Sequence, residues 1–178
     1  FTRTSLNISY QLDGGWNMVS APGNTPFNDF KTMFPGAISL WQWQNEGNDG
    51  QYLQAETVGP GIGYWINLQA DLSTMMPAER ASNRRVSMSQ GRNIIGGFEN
   101  RVSVADLRRA VPQVRNVYGF DGMYLLANEL EPGKGYWVQV KDKAIVLDFE
   151  EFEEGDAFGG AARPSVVTSS NRPTLDAV

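Results

Sequence analysis

Apolar and polar residues alternate near the start of the chain, where Leu6, Ile8, Tyr10 and Leu12 are separated by polar residues. A period of two places these four side chains on one face of a β-strand. A second strand is predicted over 15–20, where an apolar stretch follows a Gly-Trp-Asn sequence. The chain is therefore expected to begin with two consecutive strands.

The spacing of apolar residues then changes to that of a helix. Phe27, Phe30 and Phe34 are three and four residues apart and would share one helical face. Pro26 suits the first position of a helix, and Pro35 follows the stripe where a proline would end it. One short helix is therefore predicted between the second and third strands.

Two further strands, 40–43 and 51–54, are predicted to form a hairpin, and Pro60-Gly61 marks the turn after it. Proline fixes its own φ angle, whereas Gly61 is free to adopt the positive φ angle that such a turn requires. A strand with a Tyr-Trp pair follows the turn, and a last strand at 71–76 completes the pattern.

The same order of features returns in the second half of the chain. Gly91-Arg92-Asn93-Ile94-Ile95-Gly96 follows the pattern of Gly15–Ser20. The later matches are Val104, Leu107 and Val111 for the helical stripe, 117–120 and 123–126 for the hairpin, and 132–138 for the turn and the Tyr-Trp strand. Several matches in one order indicate an internal duplication. The copies differ in length at two places, one of which is the turn 45–50 that the second copy lacks.

The predicted fold class is mainly β, a β-rich α+β arrangement of two pseudo-symmetric repeats, each with about six strands and one short helix. The predicted boundaries are 1–78 for the first repeat and 79–149 for the second. Repeats of this size are small for independent cores, so we expect them to pack as one unit, with a tandem pair as the alternative. Residues 150–178 are acidic at first and then rich in Pro, Ser and Thr, which is typical of a linker or an extended tail.

Composition narrows the chemistry that the chain can perform. Its 178 residues include no cysteine and no histidine, so disulfides, thiol nucleophiles, Ser-His-Asp triads and histidine-ligated metals are excluded. Nineteen glycines and five tryptophans are more than ordinary composition supplies, and the duplication accounts for part of that excess. No apolar run reaches the roughly 20 residues that a membrane span requires.

Most of the repeated residues are expected to determine the fold, because they occupy equivalent positions in both copies. They are Trp16, Asn17, Gly61, Gly63, Tyr64, Trp65, Asn93, Gly133, Gly135, Tyr136 and Trp137. A smaller aromatic set is a candidate ligand or partner face. Trp41 and Trp43 lie on one side of their predicted strand, as do Tyr118 and Phe120, and outward-facing rings of this kind stack on sugars.

Two segments carry a resemblance to a known family. Gly15-Trp16-Asn17-Met18-Val19-Ser20-Ala21-Pro22 and Glu131-Pro132-Gly133-Lys134-Gly135-Tyr136-Trp137-Val138, with the aromatic hairpin between them, resemble the tandem GWNLVSLP…PGKGYW modules of secreted and surface proteins of certain Gram-negative bacteria. Such pairs often precede a sorting domain for type IX secretion. The resemblance spans about 5–150, and Arg92 departs from it by replacing the second tryptophan of the pattern. It implies an extracellular location and a non-catalytic accessory or structural role.

Three other motifs point only weakly to chemistry. The glycine-rich 59–63 segment is followed by a strand and lacks a terminal Lys-Ser/Thr, so a turn is favoured over a phosphate-binding loop. The turn 45–50 has a glycine at the third position of a calcium loop, so a solvated hairpin tip is favoured there. The acidic run 148–156 does not supply two carboxylates from separate elements, as a glycosidase would need. We therefore expect no catalysis, metal or cofactor.

Charge is distributed unevenly. Residues 80–115 carry eight arginines and two acidic residues, although the whole chain has a net charge of −5. The acidic flanks argue against nucleic acid as a partner. Neutralisation within the fold is one hypothesis, and head-to-tail assembly between copies, with an acidic tail docked on the basic belt, is the other. The residues of the assembly hypothesis are Arg84, Arg85, Arg108, Arg109, Glu150, Glu151, Glu153, Glu154, Val166 and Val167.

The tail gives the assembly hypothesis its geometry. Val166 and Val167 lie in a polar background and would pair as an extended strand with the sheet edge of a neighbouring copy. The sequence thus predicts a non-catalytic structural or assembly module of an extracellular, cell-surface bacterial protein, whose partner is a protein, either itself or another surface component. The alternative is a glycan-binding accessory module that binds polysaccharide through exposed Trp and Tyr.

Overall fold

A computed structural model describes residues 5–47 and 49–152 and the backbone of 165–168. The fold is mainly β, which confirms the predicted class. The first half, residues 5–79, contains β1 (Ser5–Leu12), β2 (Gly15–Ser20), α1 (Phe30–Met33), β3 (Ala37–Asn45), β4 (Gly50–Gln54), β5 (Gly63–Leu68) and β6 (Leu72–Glu79).

The second half, residues 80–152, repeats much of that order and is followed by a last strand. Its elements are β7 (Arg85–Met88), β8 (Gly91–Gly96), β9 (Val102–Ser103), α2 (Val104–Ala110), β10 (Val114–Phe120), β11 (Tyr124–Leu126), β12 (Glu129–Leu130), β13 (Gly135–Val140), β14 (Ile145–Asp148) and a 3-10 turn (Phe149–Phe152). The strand β15 (Ser165–Thr168) lies outside both halves.

Each half contains a four-stranded sheet with the same order of strands. The order is β2-β5-β3-β4 in the first half and β8-β13-β10-β11 in the second. The remaining long strands pair separately and antiparallel, β1 with β6 and β7 with β14. Strands that match in sequence, such as β2 and β8, therefore occupy the same places in the two sheets. The symmetry between the repeats stays a prediction.

The helix of the first half begins later than predicted. Asp29 caps α1, because its side chain accepts a hydrogen bond from the amide of Thr32, and only four residues are helical. The preceding residues are extended and bond to the segment after β4, where the Val58 amide donates to the Asn28 carbonyl over 2.8 Å. Phe27 therefore lies outside the helix and is 63% exposed, so its predicted place on the buried stripe is wrong.

The second helix agrees better with its pattern. The Ser103 side chain caps α2 by accepting a hydrogen bond from the Asp106 amide. Val104 and Leu107 are buried in the core of the second half, as the helical stripe predicts. A short capped helix of this kind depends on its buried face, because seven residues are too few for an independently stable helix.

Buried side chains form a core in each half and a third cluster between them. One core is built from residues of the first half, and the other from residues of the second. The third, here called the shared cluster, has four buried members, Met18, Trp65, Ile94 and Trp137. Half-buried rings from both halves pack against them: Trp16, Trp41, Trp43, Tyr52, Tyr118, Phe120 and Tyr124. Both four-stranded sheets thus contribute to one apolar interface.

Main-chain contacts connect the halves in a reciprocal way. The Pro-Gly turn of the second half lies against the end of β2, where the Ser20 amide donates to the Gly133 carbonyl over 2.8 Å. The Pro-Gly turn of the first half lies against the end of β8, where the Gly96 amide donates to the Gly61 carbonyl over 3.1 Å. Each half therefore supplies a turn that binds a strand end of the other.

These reciprocal contacts leave no space for side chains at the crossing points. A Cβ atom at Gly63 would lie 2.7 Å from the carbonyl oxygen of Ile95, which belongs to the backbone of the other half. A Cβ atom at Gly135 would lie 3.2 Å from the carbonyl oxygen of Val19. The close approach of the two halves thus requires a glycine at position 63 and leaves little room for a side chain at position 135.

A Gly63→Ala substitution should lower the free energy of unfolding by about 1–3 kcal/mol, because the methyl group overlaps backbone that belongs to the opposite half. Urea denaturation followed by tryptophan fluorescence measures this loss. Gly97→Ala is the matched control, since a Cβ atom there meets nothing closer than 3.6 Å. Equal stabilities of the two variants would contradict the close approach at Gly63.

Candidate functional site

The two repeated asparagines have one structural task. Asn17 donates from Nδ2 to the carbonyl of Asp13 at 2.8 Å and to that of Gly15 at 3.2 Å. Asn93 donates in the same way to Ser89 and Gly91, over 2.8 and 3.2 Å. Both side chains are buried and close the turn that precedes β2 or β8. Their donor geometry is that of fold determinants. The Oδ1 atom of Asn93 also accepts from the Ser89 amide at 3.1 Å, whereas that of Asn17 is buried without a hydrogen-bond partner among the described residues.

The repeated tyrosines also hold turns. The hydroxyl of Tyr64 accepts a hydrogen bond from the amide of Gly59 at 3.0 Å, and that of Tyr136 accepts one from the amide of Glu131 at 2.8 Å. Gly61 and Gly133 have φ angles of 80° and 85°, in the region that favours glycine. The glycine-rich 59–63 segment is thus a turn that leads into a strand.

Burial changes the titration of these tyrosines. Removal from water raises the pKa of Tyr64 and of Tyr136 above the ordinary value for tyrosine. The hydrogen bonds from the amides of Gly59 and Glu131, respectively, oppose this rise. Burial also raises the pKa of Tyr10, whose hydroxyl donates to the carbonyl of Ser20 over 2.7 Å. The neutral phenols are therefore part of the folded state.

The aromatic face suggested by the sequence is turned into the molecule. Phe120 lies edge-to-face against Trp65 with ring centroids 5.2 Å apart, and Trp43 lies edge-to-face against Trp137, also at 5.2 Å. Trp41 and Tyr118 pack against the same shared cluster. The expectation of a four-ring, outward-facing platform for sugars is corrected accordingly, because these rings pack between the two sheets. Of the four, Trp43 also borders the cleft described below.

Trp16, Trp65 and Trp137 complete the shared cluster from the strands β2, β5 and β13. Trp65 is fully buried, and Trp137 is 5% exposed. Trp137 also faces the guanidinium of Arg92, which lies 5.8 Å from its ring centroid and 5.4 Å from that of Trp43. Arg92 therefore covers one margin of the cluster as a cation over two rings.

Most of the arginine belt is engaged within the chain. Arg84 is buried and pairs with Glu99 at 3.1 Å and with Glu150 at 3.2 Å, and Arg85 pairs with Asp148 at 3.0 Å. The remaining contacts are Arg80 with Glu99, Arg101 with Glu129 and Glu131, and Arg109 with Asp106. Arg108 donates to the carbonyl of Arg115. These contacts favour neutralisation within the fold over docking of a second copy on the belt.

A cleft of about 620 Å³ opens at one margin of the interface between the halves. Trp43 and Asp49 line it from the β3–β4 hairpin, Gln90 from the residue before β8, and Arg92 from β8 itself. The cleft is also lined by Arg115 and Asn116 of β10, by Gln139 of β13 and by Lys141 directly after β13. One aromatic ring, amide side chains and three cations thus surround a space large enough for a small ligand.

The hairpin is fixed against β8 by three hydrogen bonds. Asn45 donates to the carbonyls of Gln90 and Arg92, each over 2.8 Å, and Trp43 donates from its indole to that of Arg92 over 2.9 Å. Gly91 has a φ angle of 99°, and a Cβ atom there would lie 2.7 Å from the carbonyl oxygen of Gly47. This wall of the cleft is therefore built into the fold.

Two side-chain oxygens of the turn 45–50, those of Asn45 and Asp49, accept hydrogen bonds from amides within the turn. The Asn45 side chain accepts from the amide of Gly47 at 2.7 Å, and Asp49 accepts from that of Gly50 at 2.8 Å.

Among the residues that the structure describes, no group of three or more acidic side chains is arranged to hold a metal ion. No helix among the described residues is long and apolar enough to cross a membrane.

The C-terminal strand lies on an edge of the molecule's own sheet. β15 runs parallel to β1, with Val166 opposite Ser9 and Val167 opposite Tyr10. Glu150 belongs to the 3-10 turn and pairs with Arg84, whereas Glu151 is exposed in that turn. The predicted assembly residues Glu153 and Glu154 lie outside the described residues.

Comparisons of the chain with protein-family models, with curated proteins and with solved structures found no match. The site is therefore defined by its own geometry. Sequence reasoning did not single out Gln90, Asn116, Gln139 or Lys141 as cleft residues. The signal that leads to the cleft is the pair of differences between the predicted repeats, Arg92 and the turn 45–50, because Arg92, Gly47 and Asp49 line it.

The buried phenols predict a loss of stability in alkali. The pKa of Tyr136 in the folded state is raised above the value of about 10 for the unfolded chain. The contribution of this tyrosine to the free energy of unfolding is therefore fully present below pH 10 and is lost as the pH rises further. Between pH 8 and pH 11 the free energy of unfolding of Tyr136→Phe should fall less steeply than that of the unaltered chain. At pH 8 the variant should lose about 1 kcal/mol, because the Glu131 amide loses its acceptor.

Urea denaturation at each pH provides the measurement. Tyr118→Phe removes a hydroxyl from a half-buried ring and serves as the control for the loss of the hydroxyl itself. The same pH dependence in Tyr136→Phe and in the unaltered chain would show that Tyr136 does not contribute to alkaline unfolding.

Proposed function

We propose that the chain is a non-catalytic structural and assembly module of an extracellular bacterial surface protein. Its aromatic and asparagine residues, the groups most suited to binding, are used to join two sheets and to close turns. The resemblance to tandem surface modules supports the extracellular location and the non-catalytic role. The partner in this proposal is a second copy of the chain or another surface component.

The pairing of β15 with β1 is the observation that carries the assembly role. β1 bonds to β6 on one side, and its other side accepts the backbone of Ser165–Thr168 in parallel register. An exposed strand edge presents unpaired amides and carbonyls that any extended segment of suitable sequence can satisfy. The β1 edge is therefore a site that recognises an extended strand.

The connection to β15 allows the strand to come from another copy. Residues 153–164 connect the 3-10 turn to β15 in sequence, and a chain of this length spans up to roughly 40 Å when extended. Exchange of an identical element between copies replaces one contact by an equal one, so its cost is small. Exchange that does not close between two molecules adds copies one after another and yields open assemblies.

Electrostatic docking contributes less to this proposal than strand pairing does. Arg84 and Arg85 already contact Glu99, Glu150 and Asp148 within the chain. Exchanging these ion pairs for pairs between copies would give little net gain, and the Arg84–Glu99 pair is buried and costly to break. Backbone pairing at β1 does not have this cost. Assembly is therefore expected to depend only weakly on salt.

Size-exclusion chromatography with light scattering tests the assembly role. The full chain should show a mass that rises with concentration to at least about twice that of one copy, as strand exchange is a mass-action equilibrium. A chain cut after Glu154 should stay monomeric. The double variant V166P/V167P should do the same, because proline removes the amide donors of the strand.

Ala177→Pro is the matched control, since it places a proline in the tail outside β15 and should assemble like the unaltered chain. Far-UV circular dichroism establishes that each variant retains its sheets. A full chain that stays monomeric at every concentration, or a truncated chain that associates equally, would overturn the proposal.

A further inference from the structure

The two departures from the internal repeat meet at one place in the fold. The turn 45–50 has no counterpart in the second copy, and Arg92 stands where the first copy has Trp16. Gly47 and Asp49 of that turn lie in the wall of the cleft beside Arg92. The repeated positions build the fold, whereas these unrepeated ones lie in the wall of the cleft.

The cations of the cleft differ from most arginines of the segment 80–115. Arg92, Arg115 and Lys141 make no ion pair with any carboxylate in the described part of the chain, while Arg84, Arg85 and Arg101 do. Asp49 is the acidic residue of the lining, and its Oδ1 atom is used by the Gly50 amide. The cleft therefore has an excess of positive charge in a chain of net charge −5.

The neutral groups of the cleft match the surface of a sugar ring. Gln90, Asn116 and Gln139 are exposed amides, each of which can both donate to and accept from a hydroxyl. Trp43 supplies an apolar ring, which its hydrogen bond to the Arg92 carbonyl and its packing on Trp137 hold in place. A preorganised aromatic ring with amides around it suits a pyranose, which has both apolar C–H faces and hydroxyls.

We propose that this cleft binds an acidic saccharide, a carbohydrate that carries carboxylate or sulfate groups. Arg115 and Lys141 bind the anionic group, and the amides of Gln90, Asn116 and Gln139 bind hydroxyls. Trp43 contacts the ring, and Arg92 positions Trp43 while adding positive charge. A nucleic acid fits less well, because the cleft offers one aromatic ring instead of a series, and the net negative charge of the chain repels a long polyanion.

Isothermal titration of the full chain with defined oligosaccharides tests this site. The probes are tetragalacturonate for carboxylate, a chondroitin sulfate tetrasaccharide for sulfate, maltotetraose as the neutral sugar and a single-stranded oligonucleotide as the other polyanion. At least one acidic sugar should bind at least about tenfold more tightly than maltotetraose or the oligonucleotide. The reason for the difference from maltotetraose is that a neutral sugar cannot form hydrogen bonds between its own anionic group and the cations of the cleft.

Two variants locate the site. R115Q/K141Q should weaken binding of the acidic sugar at least about tenfold. N116D/Q139E keeps every cation but adds carboxylates to the cleft, and it should weaken the acidic sugar by repulsion. K31Q/K143Q is the matched control, since it removes the same charge from exposed residues outside the cleft lining and should change affinity less than about twofold.

Several outcomes would overturn the proposal. Binding of neither acidic sugar removes the site, and equal binding of maltotetraose removes the requirement for an anion. Equal binding of the oligonucleotide assigns the cleft to polyanions in general. Equal losses in R115Q/K141Q and K31Q/K143Q show that net charge, and not this cleft, determines binding. None of these outcomes bears on strand exchange, so the assembly role stands or fails separately.

Discussion

The packing of aromatic rings between two four-stranded sheets is the constraint on which the rest of the structure depends. Trp65 and Trp137 are buried at its centre, and half-buried rings from both halves surround them. Large rings bury much apolar area and gain further from edge-to-face contact, such as the 5.2 Å separations of Trp65 from Phe120 and of Trp43 from Trp137. Neither half could leave this face in water without exposing a large apolar patch.

Much of the fold could be predicted because it depends on local rules. Alternation located β1, the helical spacing of Val104 and Leu107 located α2, and Pro-Gly with a following Tyr-Trp pair located β5 and β13. The failures involve partners that are distant in sequence. Phe27 is outside α1 because Asn28 and Asp29, which directly precede the helix, bond to residues after β4. Trp41 faces inward because the opposite sheet covers it. Periodicity states which residues share a face, but not what lies against that face.

The candidate site follows from the same distinction. Residues present in both predicted repeats serve the fold, as the matching donor hydrogen bonds of Asn17 and Asn93 illustrate. Chemistry is available where the repeats differ, since Arg92 and the turn 45–50 frame a cleft whose cations lack carboxylate partners within the described residues. Arg115 and Lys141 could not be assigned to it from the sequence, because β10 and β13 meet the β3–β4 hairpin only in the folded molecule.

Differential scanning calorimetry of the full chain tests most directly whether the shared cluster makes the two halves one cooperative unit. The account predicts a single transition whose calorimetric and van 't Hoff enthalpies agree, because neither half can unfold without exposing the rings of the other. Two separate transitions, or a calorimetric enthalpy well above the van 't Hoff value, would show that the halves unfold independently and would contradict it.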